Sequence, residues 1–111
     1  MKVFIELWKA KDAWKNLPLS ERQEYVAQIG PVMEDIMSRG LEITAWGVNE
    51  DETEHKSEYN FFAVSKVPTD ELLKEFQSIV EAAGWYDYFE QVNLSGSLMS
   101  PEEVIGKMLD V

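Results

Sequence analysis

The chain predicts an α+β fold built on a four-stranded antiparallel sheet, and three observations lead there. Strand-like and helix-like segments follow one another in the order strand, helix, strand, strand, helix, strand. Each strand-like segment carries different residue types at odd and even positions, as a sheet with two unlike faces requires. Both long helix-like segments carry a single apolar stripe, so each packs through one side only.

Lys2 to Lys9 alternates Val3, Ile5 and Leu7 on one side with Phe4, Glu6 and Trp8 on the other. That period of two, with its Val, Phe and Ile content, marks a strand. Asp12 to Lys15 forms a short turn before Leu17-Pro18. The first long helix should start at Ser20 as N-cap, with Gln23 closing a capping box. Tyr25, Val26, Ile29, Val32, Met33, Ile36 and Met37 then recur at helical spacing across Gly30-Pro31. A stripe that stays in phase across a proline predicts a kinked helix, not two separate ones. Gly40 is placed to end it.

Leu41 to Asn49 and Tyr59 to Val67 read as the second and third strands. Glu50 to Glu58, which has no apolar residue, is the solvated tip between them. In the second strand Ile43 and Ala45 oppose Thr44 and Trp46. The third admits either Tyr59, Phe61 and Ala63 or Asn60, Phe62 and Val64 as its inward set. A helix follows Pro68-Thr69, with Asp70 and Glu71 where the helix dipole favours acids. Leu72, Phe76, Ile79, Val80 and Ala83 form its stripe and Gly84 its stop. Trp85 to Phe89 is an aromatic corner, and Glu90 to Ser95 is the last strand, with Val92 and Leu94 opposite Gln91 and Asn93. Ser100, Pro101 and Glu103 give the clearest helix start of all, for a short C-terminal helix.

At 111 residues, 45% hydrophobic and 12% aromatic, the chain is expected to form a single domain over 1–111 with its own core. The absence of cysteine excludes disulfides, thiolate catalysis, iron–sulfur clusters and cysteine-ligated zinc, and suits a reducing cytoplasm. Met1 leads straight into the first strand, so no signal peptide is expected, and the apolar runs fall far short of the ~20 residues of a membrane span. A net charge of −11 opposes binding to nucleic acid or to an anionic membrane. It serves solubility, or a basic partner.

Two helices among four strands in this order make a split β-α-β repeat, the ferredoxin-like arrangement, with both helices on one face. The expectation is that they cover the Val3, Ile5, Leu7 side and leave Phe4, Trp8 and Trp46 bare. An exposed patch of that kind calls for a homodimer in which two sheets face each other. The chain resembles the dimeric α+β barrel superfamily. Phe4-Ile5-Glu6-Leu7-Trp8, Gln28-Ile29-Gly30-Pro31, Trp46-Gly47 and Gly84-Trp85-Tyr86-Asp87-Tyr88-Phe89 are further similar to an uncharacterised bacterial family of about this length. The superfamily resemblance implies two protomers closing around a pocket. It also spans cofactor-free monooxygenases, isomerases, heme binders and sensors, so it leaves the reaction open.

The expected ligand is a small apolar or aromatic molecule in a cavity on the open sheet face. Glu6 is the first candidate acid or base, because a carboxylate among aromatic rings has its charged form disfavoured. Alternatively it pairs with a Lys or Arg, hydrogen-bonds Thr44 or Asn93, or sits at the rim. His55, the only histidine, either folds over the pocket mouth or stays solvated in its charge run. Phe4, Trp8, Thr44 and Trp46 would line the ligand site, with Trp8 and Trp46 equally fit to anchor a dimer. Tyr86 and Tyr88 flank Asp87, which either activates a phenol or faces water. Gln91 and Asn93 imply a polar partner, since burying an unpaired amide is costly. No Walker or Rossmann loop and no Gly-x-Ser-x-Gly turn is present, and one histidine makes a poor metal site, so neither cofactor nor metal is expected. The rival reading is a structural or interaction protein whose inner face serves only as a dimer interface.

Overall fold

The computed structural model describes all residues, Met1 to Val111. The elements are β1 (Lys2–Ala10), α1 (Asp12–Lys15), α2 (Leu19–Ser38), β2 (Glu42–Val48), β3 (Phe61–Val67), α3 (Asp70–Ala82), α4 (Trp85–Tyr88), β4 (Phe89–Ser97) and α5 (Pro101–Leu109). The four strands form one antiparallel sheet in the order β2-β3-β1-β4. This is the predicted α+β architecture, with a short C-terminal helix.

Two helix starts differ in kind. Thr69 accepts a hydrogen bond from the Leu72 N–H at 3.1 Å, and Ser100 accepts one from Glu103 at 3.2 Å, so α3 and α5 are capped by side chains. The capping box expected at Ser20 does not form. Pro18 is the N-cap instead, and its carbonyl accepts from the backbone of Glu21 and Arg22. Its ring holds φ at −57°, which starts the helix at Leu19 and leaves Ser20 inside it. Pro31 lies within a helix that runs unbroken to Ser38. Gly40 and Gly84 both adopt positive φ, at 117° and 77°, where the chain leaves α2 and α3.

The two sheet faces are exchanged relative to the expectation. Phe4 is packed edge-on against Phe76 of α3 at 6.0 Å and belongs to a core with Ile36, Leu41, Val67, Leu72 and Leu73. The helices therefore cover the Phe4, Glu6, Trp8 side. On the other side Val92 and Leu94 are exposed, and Val3, Ile5, Leu7, Phe62 and Val64 are only partly buried. The physical reason is reach. Two cylinders on a sheet leave a groove between them that only large side chains fill, whereas short aliphatic ones make a level surface.

Register sets what joins each face. Pairing of Phe4 with Ser65, Glu6 with Ala63 and Trp8 with Phe61 puts Phe61 and Ala63 on the helix side and resolves β3. In β2 the register shifts between Ile43 and Ala45, so Thr44 is an extra residue. That bulge brings Ile43 and Trp46 to the same side, where strict alternation would separate them. Gly47, next to Trp46, makes room for the Phe62 ring, which a Cβ there would meet at 2.5 Å.

α2 touches the core lightly, with Ile36 its one buried residue. Ile36→Ala should lower stability by about 2–5 kcal/mol in urea unfolding. Val26, 58% exposed on the same stripe, should tolerate alanine to within about 0.5 kcal/mol. Equal losses at both sites would mean that α2 packs through its whole stripe.

Candidate functional site

A cavity lies between α2, α3 and the sheet. Its walls are Ile29, Val32 and Met33 of α2, Phe76, Ile79 and Val80 of α3 with Ala83 at its C-cap, Trp85 of α4, Trp8 of β1 and Trp46 of β2. Its cavity volume is about 60 Å³, and its mouth opens to solvent. Ten of the eleven lining residues are hydrophobic, and the eleventh is Glu6. A small-molecule site of this kind is apolar, with few polar groups to orient the occupant.

The strands and the α3–β4 corner position the polar group. Glu6 and Gln91 lie on one sheet face, on adjacent strands β1 and β4. Gln91 Nε2 donates to Glu6 Oε2 at 2.9 Å and to Asn93 Oδ1 at 2.8 Å, while Trp85 Nε1 donates to Gln91 Oε1 at 2.8 Å. An indole N–H can only donate, so it holds the Gln91 amide with its carbonyl toward Trp85 and its NH₂ toward Glu6. Glu6 is 9% exposed. Burial pushes its carboxyl above the ordinary 4.5, and the hydrogen bond from Gln91 pulls it partway back. None of the chain's ion pairs includes it.

Aromatic rings frame this carboxyl. Trp46 and Trp85 both stand edge-on to Trp8, with centroids at 6.2 and 5.9 Å, while Phe61 stacks on Trp8 at 5.9 Å. A second cluster joins Trp14, Tyr25, Tyr88 and Phe89. In it Tyr25 donates to the Ala83 carbonyl at 2.9 Å and ties α2 to the end of α3.

Of the residues expected at the site, Glu6, Trp8 and Trp46 line the cavity, Gln91 holds Glu6, and Asn93 accepts a hydrogen bond from Gln91. The cavity itself is under the helices, not on the open sheet face. Phe4 is fully buried in the core beneath it. Thr44 is exposed at the bulge and makes no contact with Glu6. Tyr88 packs in the second aromatic cluster, and Tyr86 offers Lys11 its backbone carbonyl at 2.6 Å. His55 does not line this cavity: its side chain is 86% exposed beside Glu54, on a loop built from successive turns at Asn49, Asp51 and Thr53. It borders a separate, more polar depression with Asn49, Asp51, Ser57 and Tyr59. No group of three or more His, Asp or Glu side chains converges to hold a metal ion.

The helix stripes are what residue reading missed, because periodicity shows that a helix side is buried without showing whether it is packed tight. The mid-helix residues of α2 and the second half of α3 are roof and wall. Trp85 was readable only as part of a corner.

The chain belongs, over residues 1–111, to a family described as a family of unknown function (DUF6616). No curated protein matches it. Among solved structures, At3g17210 from Arabidopsis thaliana is similar at a TM-score of 0.61 and 13% identity, covering 90% of this chain and 97% of that one. HapK from Hahella chejuensis matches at a TM-score of 0.48 and 14% identity, over 90% and 94% of the two chains. At such identities the first likeness shows a shared fold and nothing of chemistry. No helix is long and apolar enough to cross a membrane.

Because its folded carboxyl titrates higher than the unfolded one, Glu6 lowers stability as pH rises from 4.5 through the folded value. Glu6→Gln should therefore gain on the parent in urea midpoints as pH rises above 4.5. A gap that stays constant with pH would show that burial imposes no such cost. Gln91→Met, which removes the donor, should move the Glu6 titration still higher in carbon-detected NMR.

Proposed function

We propose, from a family membership that assigns no chemistry, that this protein binds a small, largely apolar molecule between its sheet and helices, with Glu6 as the one ionisable group the ligand meets. The observation that carries this reading is the cavity itself: ten hydrophobic walls around a single carboxyl held from behind by Gln91. A well-packed domain closes such space, because each void forfeits contacts.

Catalysis is a second reading, favoured by the raised pKa of Glu6. A carboxyl that titrates nearer neutrality both takes and gives a proton efficiently, and no cofactor is needed for that step. Glu6 would be the acid or base, Gln91 the group that orients it, and Trp8, Trp46 and Trp85 the walls.

The functional assembly we propose is a homodimer, formed through the other sheet face and α5. Val92 and Leu94 are exposed there, and α5 buries no residue, leaving Val104, Ile105, Met108 and Leu109 in water. The accessible surface of 7816 Å² exceeds by about 1,500 Å² the ~6,300 Å² expected of a 12.8 kDa monomer. A standard interface takes ~800 Å² from each partner, so the surplus suffices for one. In this arrangement interface and ligand site occupy opposite faces. The interaction-module reading and the binding reading then no longer compete for the same residues.

Calorimetric titration with 4-phenylbutan-1-ol tests the cavity. The parent should bind it, and Ala83→Trp, which fills the space, should lose at least about tenfold in affinity. Equal binding to parent and variant, or a parent that binds neither this alcohol nor the amine or carboxylate of the same shape, would end the cavity reading. Native mass spectrometry tests the assembly separately. A dimer is expected, with Leu94→Asp monomeric and still able to bind the alcohol, and a monomeric parent at micromolar concentration would remove the facing-sheet arrangement.

A further inference from the structure

Glu6 lacks the counter-charge that a buried carboxylate ordinarily has. Buried charges in proteins are paired, coordinated or neutralised. No Lys, Arg or His lines the cavity from α2, α3, α4, β1 or β2, and Glu6 joins none of the chain's ion pairs. Its hydrogen bonding is also incomplete. Oε2 receives Gln91, but Oε1 has no partner, although no buried side-chain oxygen of the chain is sealed off without one. Oε1 is therefore open to the cavity.

The surroundings specify what Oε1 can receive. Trp85 fixes the Gln91 carbonyl, and both Gln91 N–H groups are used, one on Glu6 and one on Asn93. The network thus supplies one donor to Glu6 and presents its free oxygen as an acceptor. Around that oxygen stand Trp8, Trp46 and Trp85, with Trp46 and Trp85 inclined at 75° and 70° to Trp8. Indole faces attract cations through the ring quadrupole, and a carboxylate among them adds the complementary charge. The chain's net charge of −11 favours the approach of a cation and opposes an anion.

We infer that the cavity takes an organic cation, an alkyl- or arylalkyl-ammonium compound whose nitrogen meets Glu6 Oε1 beside Trp8, Trp46 and Trp85 and whose apolar body lies between α2 and α3. The inference rests on the cavity being a ligand site, as proposed above, and narrows the chemistry of its occupant. A neutral apolar ligand would leave the carboxylate buried without a counter-charge, and Oε1 without a donor. An anion would add a like charge to it. An ammonium group supplies both the missing charge and the N–H donors that Oε1 lacks.

The test is calorimetric titration of the full-length protein with three molecules of one shape, 4-phenylbutylamine, 4-phenylbutan-1-ol and 4-phenylbutanoate, at low salt and mildly alkaline pH. The amine should bind at least about tenfold more tightly than the alcohol, and the carboxylate most weakly. In Glu6→Gln the advantage of amine over alcohol should vanish. The same advantage should shrink in the parent as acid protonates Glu6, since no other ionisable group lines the cavity. Trp46→Leu, at a rim position 57% exposed, provides a variant that spares the buried network. It should weaken the amine more than the alcohol. Equal affinity of the parent for amine and alcohol, or a preference for the carboxylate, would overturn the cation assignment and leave the cavity reading standing. Failure of all three to bind would remove both.

Discussion

β1 lies inside the sheet, paired on one edge with β3 and on the other with β4, and its alternation constrains everything built around it. Phe4, Glu6 and Trp8 leave this strand on one side, so a single stretch of five residues supplies core, polar group and aromatic wall in succession. Phe4 meets Phe76 and closes the core. Glu6, one step along the face, meets only Gln91. Trp8 meets Trp46, Phe61 and Trp85, from three different elements. Packing thus opens progressively along the strand, from a filled interior to a cavity with a carboxyl at its edge. A register slip of one residue would turn all three side chains to the other face.

The roof over that cavity is held at its ends. Toward its start, α2 is tied by Tyr25 to the Ala83 carbonyl; toward its finish, Ile36 is wholly buried. Between them Ile29, Val32 and Met33 face empty space. Gly30-Pro31 falls in this middle section, where Pro31 has no N–H for the Ala27 carbonyl and the helix ladder misses a rung. The least reinforced part of the helix therefore lies directly over the site.

Element order, the cap at Ser100 and the stops at Gly40 and Gly84 were legible in the sequence. These depend on local chemistry, which neighbours in the chain reveal. Which sheet face the helices cover was not. Val3, Ile5 and Leu7 look like a core by composition, and Phe4, Glu6 and Trp8 look like a pocket, yet both the core and the pocket lie on the second side. Alternation divides residues into two sets without saying which set a helix sits on. The bulge at Thr44 shows a related limit. One extra residue moved Trp46 to the side of Ile43, and β2 carries no glycine at that point to announce it. Gln91 was recognisable as an amide in need of a partner, but Trp85 as that partner required the chain to turn through Gly84.

The distribution of indoles has a consequence for how the protein reports on itself. Three of its four tryptophans, Trp8, Trp46 and Trp85, border the cavity, and two of them stand nearly perpendicular to the third within contact distance. Trp14 belongs to the separate cluster with Tyr25, Tyr88 and Phe89. Neighbouring chromophores at steep angles couple their electronic transitions, so the near-ultraviolet circular dichroism of this chain carries a contribution from the geometry of the cavity. Trp14 supplies a reference band from outside it. The indoles thus form an intrinsic optical gauge of the cavity's geometry, with no label to attach.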